Sequence, residues 1–176
     1  MKCNCYVIES TEGNYIIDPG SNDVRFLQYL KDLQLDFDFI IATHCHFDHV
    51  GGVSGIIEEL GIKKFYIHEL ELKNLKNCNL FSLLLEKKSF NTIDNKNIQT
   101  YKFGDNIEGM IDILNLSGHT KGSSGLFHKS INSLFIGDAL LKDPKIKKIA
   151  NNLSYILKNK EFLNEVHSET NIYPGH

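Results

Sequence analysis

Thr43-His44-Cys45-His46-Phe47-Asp48-His49-Val50-Gly51-Gly52 is the stretch from which the chain is read. It follows Asp38 to Thr43, a nearly unbroken run of apolar β-branched and aromatic residues, the pattern of a strand buried on both faces. The end of such a strand, just before a helix, is where α/β folds place ligands. Three histidines and an aspartate between positions 44 and 49 make a poor core segment, because every buried imidazole or carboxylate needs a partner. They make a good metal site, since neutral imidazole and carboxylate suit zinc, iron and manganese. So many donors on one short loop exceed what one ion takes comfortably, which points to two ions dividing them. The competing account is a solvated polar loop with a chance cluster of histidines.

Upstream of this stretch, Cys5 to Glu9 and Asn14 to Ile17 read as short strands joined at the turn Glu12-Gly13-Asn14, and Asp18-Pro19-Gly20 ends the second. Val24, Leu27, Leu30 and Leu33 predict a helix from Asp23 to Leu35 with one buried face. Downstream, Gly52 to Leu60 predicts a helix capped by Gly61, and Lys64 to His68 a strand. Glu69 to Leu85 has helical character interrupted at Asn77-Cys78-Asn79, and Asn91 to Asn97 reads as loop. The segment 69–100 is expected at the mouth of the site. Ile107 to Leu116 predicts strands about a turn at Gly109, followed by strands over Ser123–Phe127 and Leu134–Ile136. Helix is expected over Ile149–Leu157 and Glu161–Val166, and a last strand over Asn171–Tyr173. His119, Asp138 and His176 each follow a glycine at the end of a strand-like run, an odd place for core residues and a good one for ligands. No repeat or linker divides the chain, so residues 1–176 are read as one domain of layered α/β architecture.

Composition bounds the function. A chain of 176 residues with 41% hydrophobic and 23% charged content excludes collagen-like, coiled-coil and disordered classes. A formal charge of −3 gives no basic field to recruit nucleic acid. No apolar run is long enough for a membrane span, and no secretory signal follows Met1. Four cysteines are too few for a disulfide framework, so a reducing cytoplasm is the expected compartment.

His-x-His-x-Asp-His at 44–49, Gly-His-Thr-x-Gly-Ser at 118–123, Gly-Asp at 137–138 and Pro-Gly-His at 174–176 together resemble the metallo-β-lactamase superfamily. The likeness runs from Asn4-Cys5-Tyr6-Val7-Ile8 to the last residue and is greatest to the small glyoxalase-like hydrolases, similar to hydroxyacylglutathione hydrolase. The resemblance implies a four-layer αβ/βα sandwich with a metal site at the edge between two mixed sheets. It implies that His44, His46 and His119 hold a first metal and that Asp48, His49 and His176 hold a second, with Asp138 bridging. It implies two divalent ions, zinc foremost, with iron or manganese also fitting. The C-terminal helical domain of typical hydroxyacylglutathione hydrolases has no counterpart in these 176 residues.

The chemistry that follows is hydrolysis. A metal-bound hydroxide attacks an activated acyl carbonyl, a thioester first, a lactone or other ester also fitting. Asp48 is the expected catalytic residue, orienting the nucleophile. The expected partner is a small acyl substrate, and self-association is common among relatives. The alternative is a persulfide dioxygenase-like oxidoreductase using one iron on His44, His119 and Asp138. Lesser features have plain readings beside functional ones. Gly51-Gly52 offers backbone N–H groups to an anion or merely permits a turn. Thr120 and Ser123 support the site or cap local turns. Lys142, Lys145, Lys147 and Lys148 form a solvated basic face or hold an anionic substrate. Cys3 and Cys5 read as packing residues rather than a soft-metal pair. His68, His128 and His167 read as ordinary strand-end or surface histidines.

Overall fold

Short apolar runs in which successive residues are buried on opposite faces build two mixed sheets. The computed structural model describes residues 3–20, 23–86, 92–140 and 169–176. The first sheet has the order β1-β2-β3-β4-β5, with β1 at Tyr6–Ile8, β2 at Tyr15–Ile17, β3 at Phe39–Ile41, β4 at Phe65–His68 and β5 at Ile98–Tyr101. β1 and β2 pair antiparallel, and β2 through β5 are parallel. The second has the order β10-β9-β8-β7-β6, with β6 at Asn106–Ile107, β7 at Ile111–Asn115, β8 at Ser124–His128, β9 at Ser133–Gly137 and β10 at Asn171–Pro174. Here β6 through β9 are antiparallel and β10 joins β9 in parallel.

The period of two along a strand sorts the core into layers. Tyr15, Ile17, Phe39 and Ile41 of the first sheet meet Ile111, Ile113, Leu126 and Phe135 of the second. The alternate residues Ile16, Ile40 and Ala42 turn the other way and pack with Leu30, Val53 and Ile56. Those three come from α1 (Val24–Asp32) and α3 (Val53–Leu60), which cover the outer face of the first sheet. Phe127, Leu134 and Ile136 form a further buried cluster on the other face of the second sheet. The apolar run before His44 is therefore a strand covered on both sides, as its composition predicts.

Several element bounds differ from the sequence reading. α1 stops at Asp32, with Asp23 as its N-cap accepting from Arg25 N–H at 2.8 Å. A helical turn, α2 (Phe47–Val50), begins inside the histidine motif, earlier than expected. Gly51 N–H donates to Phe47 O at 2.9 Å, so that donor is consumed by the turn and is not offered to an anion. The tract 77–79 does not break α4, which runs unbroken over Leu72–Glu86, because Cys78 faces inward and its thiol donates to Cys45 O at 3.0 Å. Strand β5 lies in a segment left unassigned from sequence; its middle residues Gln99 and Thr100 are exposed, so it carries little apolar signal. The helices expected at 149–157 and 161–166, and the lysines at 142, 145, 147 and 148, lie outside the described residues, as does His167. Among the described residues no helix is long and apolar enough to cross a membrane.

Candidate metal centre

The strand ends that share one edge of the two sheets bring all seven predicted donors together. β3 ends just before His44 and His46, α2 carries Asp48 and His49, and β9 ends at Gly137 before Asp138. The β7–β8 connection supplies His119, and β10 ends before Gly175 and His176. The tail bearing His176 is held by Gly175 N–H donating to Gly137 O at 2.7 Å, by Asn4 N–H donating to Gly175 O at 2.7 Å and by the Tyr6 hydroxyl donating to Pro174 O at 2.5 Å. Gly137 has φ +49°, and a Cβ there would lie 2.3 Å from Thr43 Oγ1. Only glycine lets the backbone pass so close and turn Asp138 toward the histidines.

The donors fall into two groups. In the first, His46 Nδ1 lies 3.1 Å from His44 Nε2 and 2.9 Å from His119 Nε2, and Asp138 Oδ2 lies 3.3 Å from His119 Nε2 and 3.9 Å from His44 Nε2. In the second, His176 Nε2 lies 3.6 Å from Asp48 Oδ2. Asp138 Oδ1 lies 3.2 Å from His49 Nε2 and 3.5 Å from His176 Nε2. The two oxygens of Asp138 thus face different groups.

Protonation follows from the surroundings. Burial holds His44, His46 and His119 below the ordinary imidazole value, and the neighbouring imidazoles add to this at His44. They are neutral, with lone pairs available. Burial alone would raise Asp138, but the close approach and charge of His49, helped by His176 and His119, hold it below the ordinary carboxyl value. Burial opposes a proton on His49, yet Asp18 and Asp138 together push it up to about 10.

Asp18 is a residue beside the donors that sequence reading missed. It is buried where β2 ends, and its Oδ1 accepts from Thr43 N–H at 2.8 Å. Its Oδ2 accepts from the Thr43 hydroxyl at 2.6 Å and from His49 Nδ1 at 2.9 Å. The Thr43 hydroxyl, having given its proton to Asp18, is left to accept from His44 Nδ1 at 3.2 Å. One carboxylate therefore holds the Nδ1 proton of both His44 and His49 and turns Nε2 of each toward the centre, where on His49 a cation would replace the second proton that Asp18 and Asp138 favour. The sequence signal was an acid directly after a strand, in Asp18-Pro19-Gly20, where only turn chemistry was read.

These residues fit a cation. His49 Nε2 and Asp138 Oδ1 are buried without a hydrogen-bond partner, although they face one another. His46 Nδ1–H can serve one of its two nitrogen neighbours, not both. Ligand bonds of about 2.0–2.1 Å in a tetrahedron place neighbouring ligand atoms about 3.3 Å apart, close to the separations in the first group. His44, His46, His119 and Asp138 form one set of candidate ligands, and Asp48, His49 and His176 another.

A sequence model of the metallo-β-lactamase superfamily matches residues 1–156. The chain belongs to the metallo-β-lactamase superfamily. It is 31% identical over 148 residues to the hydroxyacylglutathione hydrolase GloC of Haemophilus influenzae, covering 79% of this chain and 67% of that protein. It is 29% identical over 196 residues to a probable metallo-hydrolase of Methanocaldococcus jannaschii, covering 98% of this chain and 86% of that one. The fold superposes on a crystal structure of TTHA1623 in a di-iron-bound form with a TM-score of 0.80 and 26% identity, over 99% of this chain and 87% of that one. The architecture is the αβ/βα sandwich of this superfamily, and the protein is a metal-dependent hydrolase.

The remaining sequence candidates have local duties. Thr120 and Ser123 bond to each other, with Thr120 N–H donating to Ser123 Oγ at 2.9 Å and the hydroxyls 2.8 Å apart. Cys5 packs against the first-sheet core, and burial raises the Cys3 and Cys5 thiols. His68 Nδ1 accepts from Leu70 N–H at 3.1 Å. His128 is fully buried rather than superficial, spanning the Tyr15 hydroxyl at 2.7 Å and Glu12 at 2.8 Å.

Proposed function

We propose that the protein hydrolyses a small activated acyl compound, a thioester foremost, at a centre of two divalent ions. His44, His46 and His119 would hold the first ion, Asp48, His49 and His176 the second, and Asp138 both. The observation that carries this reading is the division of Asp138, with Oδ2 3.3 Å from His119 in one group and Oδ1 3.2 Å from His49 in the other. Bound divalent ions supply an acidified water and polarise an acyl carbonyl. The chain's own part is to fix where these events occur. Asp48 is nearly buried and its carboxylate faces the same space as Asp138, so it would orient the attacking water and accept its proton. Asp18 and Thr43 hold the His44 and His49 rings so that the donors do not reorganise on binding. Zinc suits this donor set, and so do iron and manganese. The hydroxyacylglutathione hydrolase relative supports a thioester over a lactone or other ester. The second donor group favours hydrolysis over a one-iron oxidation, which would not need Asp48, His49 and His176.

The test is a parallel screen of a hydroxyacyl thioester of glutathione, simple acyl thioesters, lactones and a β-lactam, with metal content measured on the same sample. Thioester turnover by protein carrying two ions per chain is expected. One iron per chain with oxygen uptake on glutathione persulfide would overturn the reading.

A further inference from the structure

Glu71 is a fully buried carboxylate outside the candidate donor set. It ends the 3-10 turn Glu69–Glu71 that leads into α4. Its Oε2 accepts from Cys45 N–H at 3.0 Å and from the Asn74 side-chain amide at 3.0 Å. Its Oε1 accepts from Gly122 N–H at 2.9 Å. Burial alone would raise this carboxyl, but the side chains of Asn74 and Thr120 and the N–H groups of Cys45 and Gly122 hold it below its ordinary value. It is therefore an anion that accepts on both oxygens.

The two backbone donors come from two different ligand loops. Cys45 stands between His44 and His46, and Gly122 lies just beyond His119. A Cβ on Gly122 would lie 2.6 Å from Glu71 Cγ and 2.8 Å from Oε1. Gly122 does not have a positive φ, so the close approach of Glu71 is what requires glycine there.

We propose that Glu71 is a positioning residue for the first donor group: one carboxylate clamps the His44–His46 loop to the His119 loop and so sets that group's affinity for a divalent cation. The inference rests on the metal-centre reading above. A plain structural brace for α4 would use the Asn74 bond but has no need of the other two.

The experiment uses the full chain, stripped of metal, in a His176→Ala background that leaves the first group complete. Zinc affinity is measured against a chromophoric chelator. The visible spectrum of the cobalt(II) form and the thermal midpoint of the metal-free form are recorded beside it. Glu71→Gln has the same shape, but one edge of the amide presents hydrogens to a backbone N–H. A loss of affinity on the order of tenfold or more is expected, the usual scale for removing an outer support of a metal ligand, together with a changed cobalt spectrum. Affinity within twofold of the parent and an unchanged spectrum would overturn the proposal. So would a lowered metal-free midpoint with affinity intact, which is the mark of a brace alone.

A second pair keeps the test decisive if Glu71→Gln fails to fold. Gly122→Ala should weaken zinc binding where Glu71 is present and add nothing in a Glu71→Ala background, where the clash is gone. Additive losses would refute the clamp. These readouts use no substrate. A Glu71 effect on metal with no thioester turnover would remove the proposed substrate and leave the clamp standing. A parent that binds no cation would end both.

Discussion

Replacing Asp18 by asparagine changes one atom of a side chain that touches no candidate metal position, yet it should weaken both. Asp18 accepts three protons, from Thr43 N–H on one oxygen and from the Thr43 hydroxyl and His49 Nδ1 on the other. An amide can be placed two ways. With its NH2 toward His49 it donates to Nδ1 and to the Thr43 hydroxyl. His49 must then carry its proton on Nε2, and the Thr43 hydroxyl turns its own proton toward His44 Nδ1 and pushes the His44 proton to Nε2 as well. Both nitrogens aimed at the ions lose their lone pairs. With its NH2 toward Thr43 N–H, the tautomers survive but two donors face each other in a buried site, at a cost of about 1–3 kcal/mol. The metal-free protein takes the first arrangement and the metal-bound protein is forced into the second. The lost affinity is then that same cost, about 5- to 150-fold in dissociation constant. Chelator competition with zinc and with cobalt on the metal-free variant measures it, and the thermal midpoint of the metal-free form reports separately the loss of the charge that Asp18 places beside His49. Retention of both equivalents with affinities within twofold of the parent would refute the tautomer argument.

Other consequences can be checked directly. His46→Ala and Asp138→Ala should each abolish acyl hydrolysis and lower bound metal, read from steady-state rates and elemental analysis; full activity in either removes the assigned roles. Tyr101→Phe deletes a buried hydroxyl that donates to Ala42 O at 2.7 Å, and should cost about 1 kcal/mol in denaturant unfolding with metal stoichiometry unchanged. The Glu71 carboxyl sits below its ordinary value in the fold, so its contribution to stability is full above the unfolded value of about 4.3 and is lost as the pH falls through the folded value. Glu71→Gln should therefore flatten the acid limb of the metal-free stability profile, and an unchanged limb would show that the carboxylate is not linked to folding.

The parts of the fold that were legible in sequence are those where one residue type has one use. Phe39, Ile40 and Ile41 point to alternate sides yet are all apolar, which only a strand covered on both faces explains. Gly61, at φ +70°, ends α3 as its place after Leu60 predicts. The candidate donors were legible as a cluster, His-x-His-x-Asp-His after a buried strand and His119, Asp138 and His176 each after a glycine at a strand end, and the resemblance those motifs carry divided them into two groups. Asp18 and Glu71 were not, because a single acid in a turn or before a helix has the same appearance whether it solvates the surface or holds a buried loop. What marks them is the set of donors they receive, most of them far off in the chain: Thr43 and His49 for Asp18, and the Cys45 and Gly122 N–H groups for Glu71. The interruption expected in α4 had the same origin: Cys78 among asparagines reads as a break until Cys45 is placed opposite it.

Thr43 shows why the ligand loop needs both sheets. Its N–H and hydroxyl go to Asp18 at the end of β2, in the first sheet. Its carbonyl accepts from Ser124 N–H at 2.9 Å, at the start of β8 in the second. Gly137, in β9 of that same second sheet, packs against its hydroxyl side. The residue directly before His44 is thus fixed from the end of one neighbouring strand in the first sheet, β2, and from two strands of the second, β8 and β9. His44 can aim its ring only where the two sheets agree, which is also where Asp138 and His119 arrive. Each sheet alone carries an incomplete donor set: His44, His46, Asp48 and His49 follow from the first, and His119, Asp138 and His176 from the second. A shift between the sheets would separate the oxygens of Asp138 from His49, and with them the bridge between the groups. The packing of Ile17, Phe39 and Ile41 against Ile113, Leu126 and Phe135 is therefore the physical basis of the site's geometry, as well as of the fold's stability.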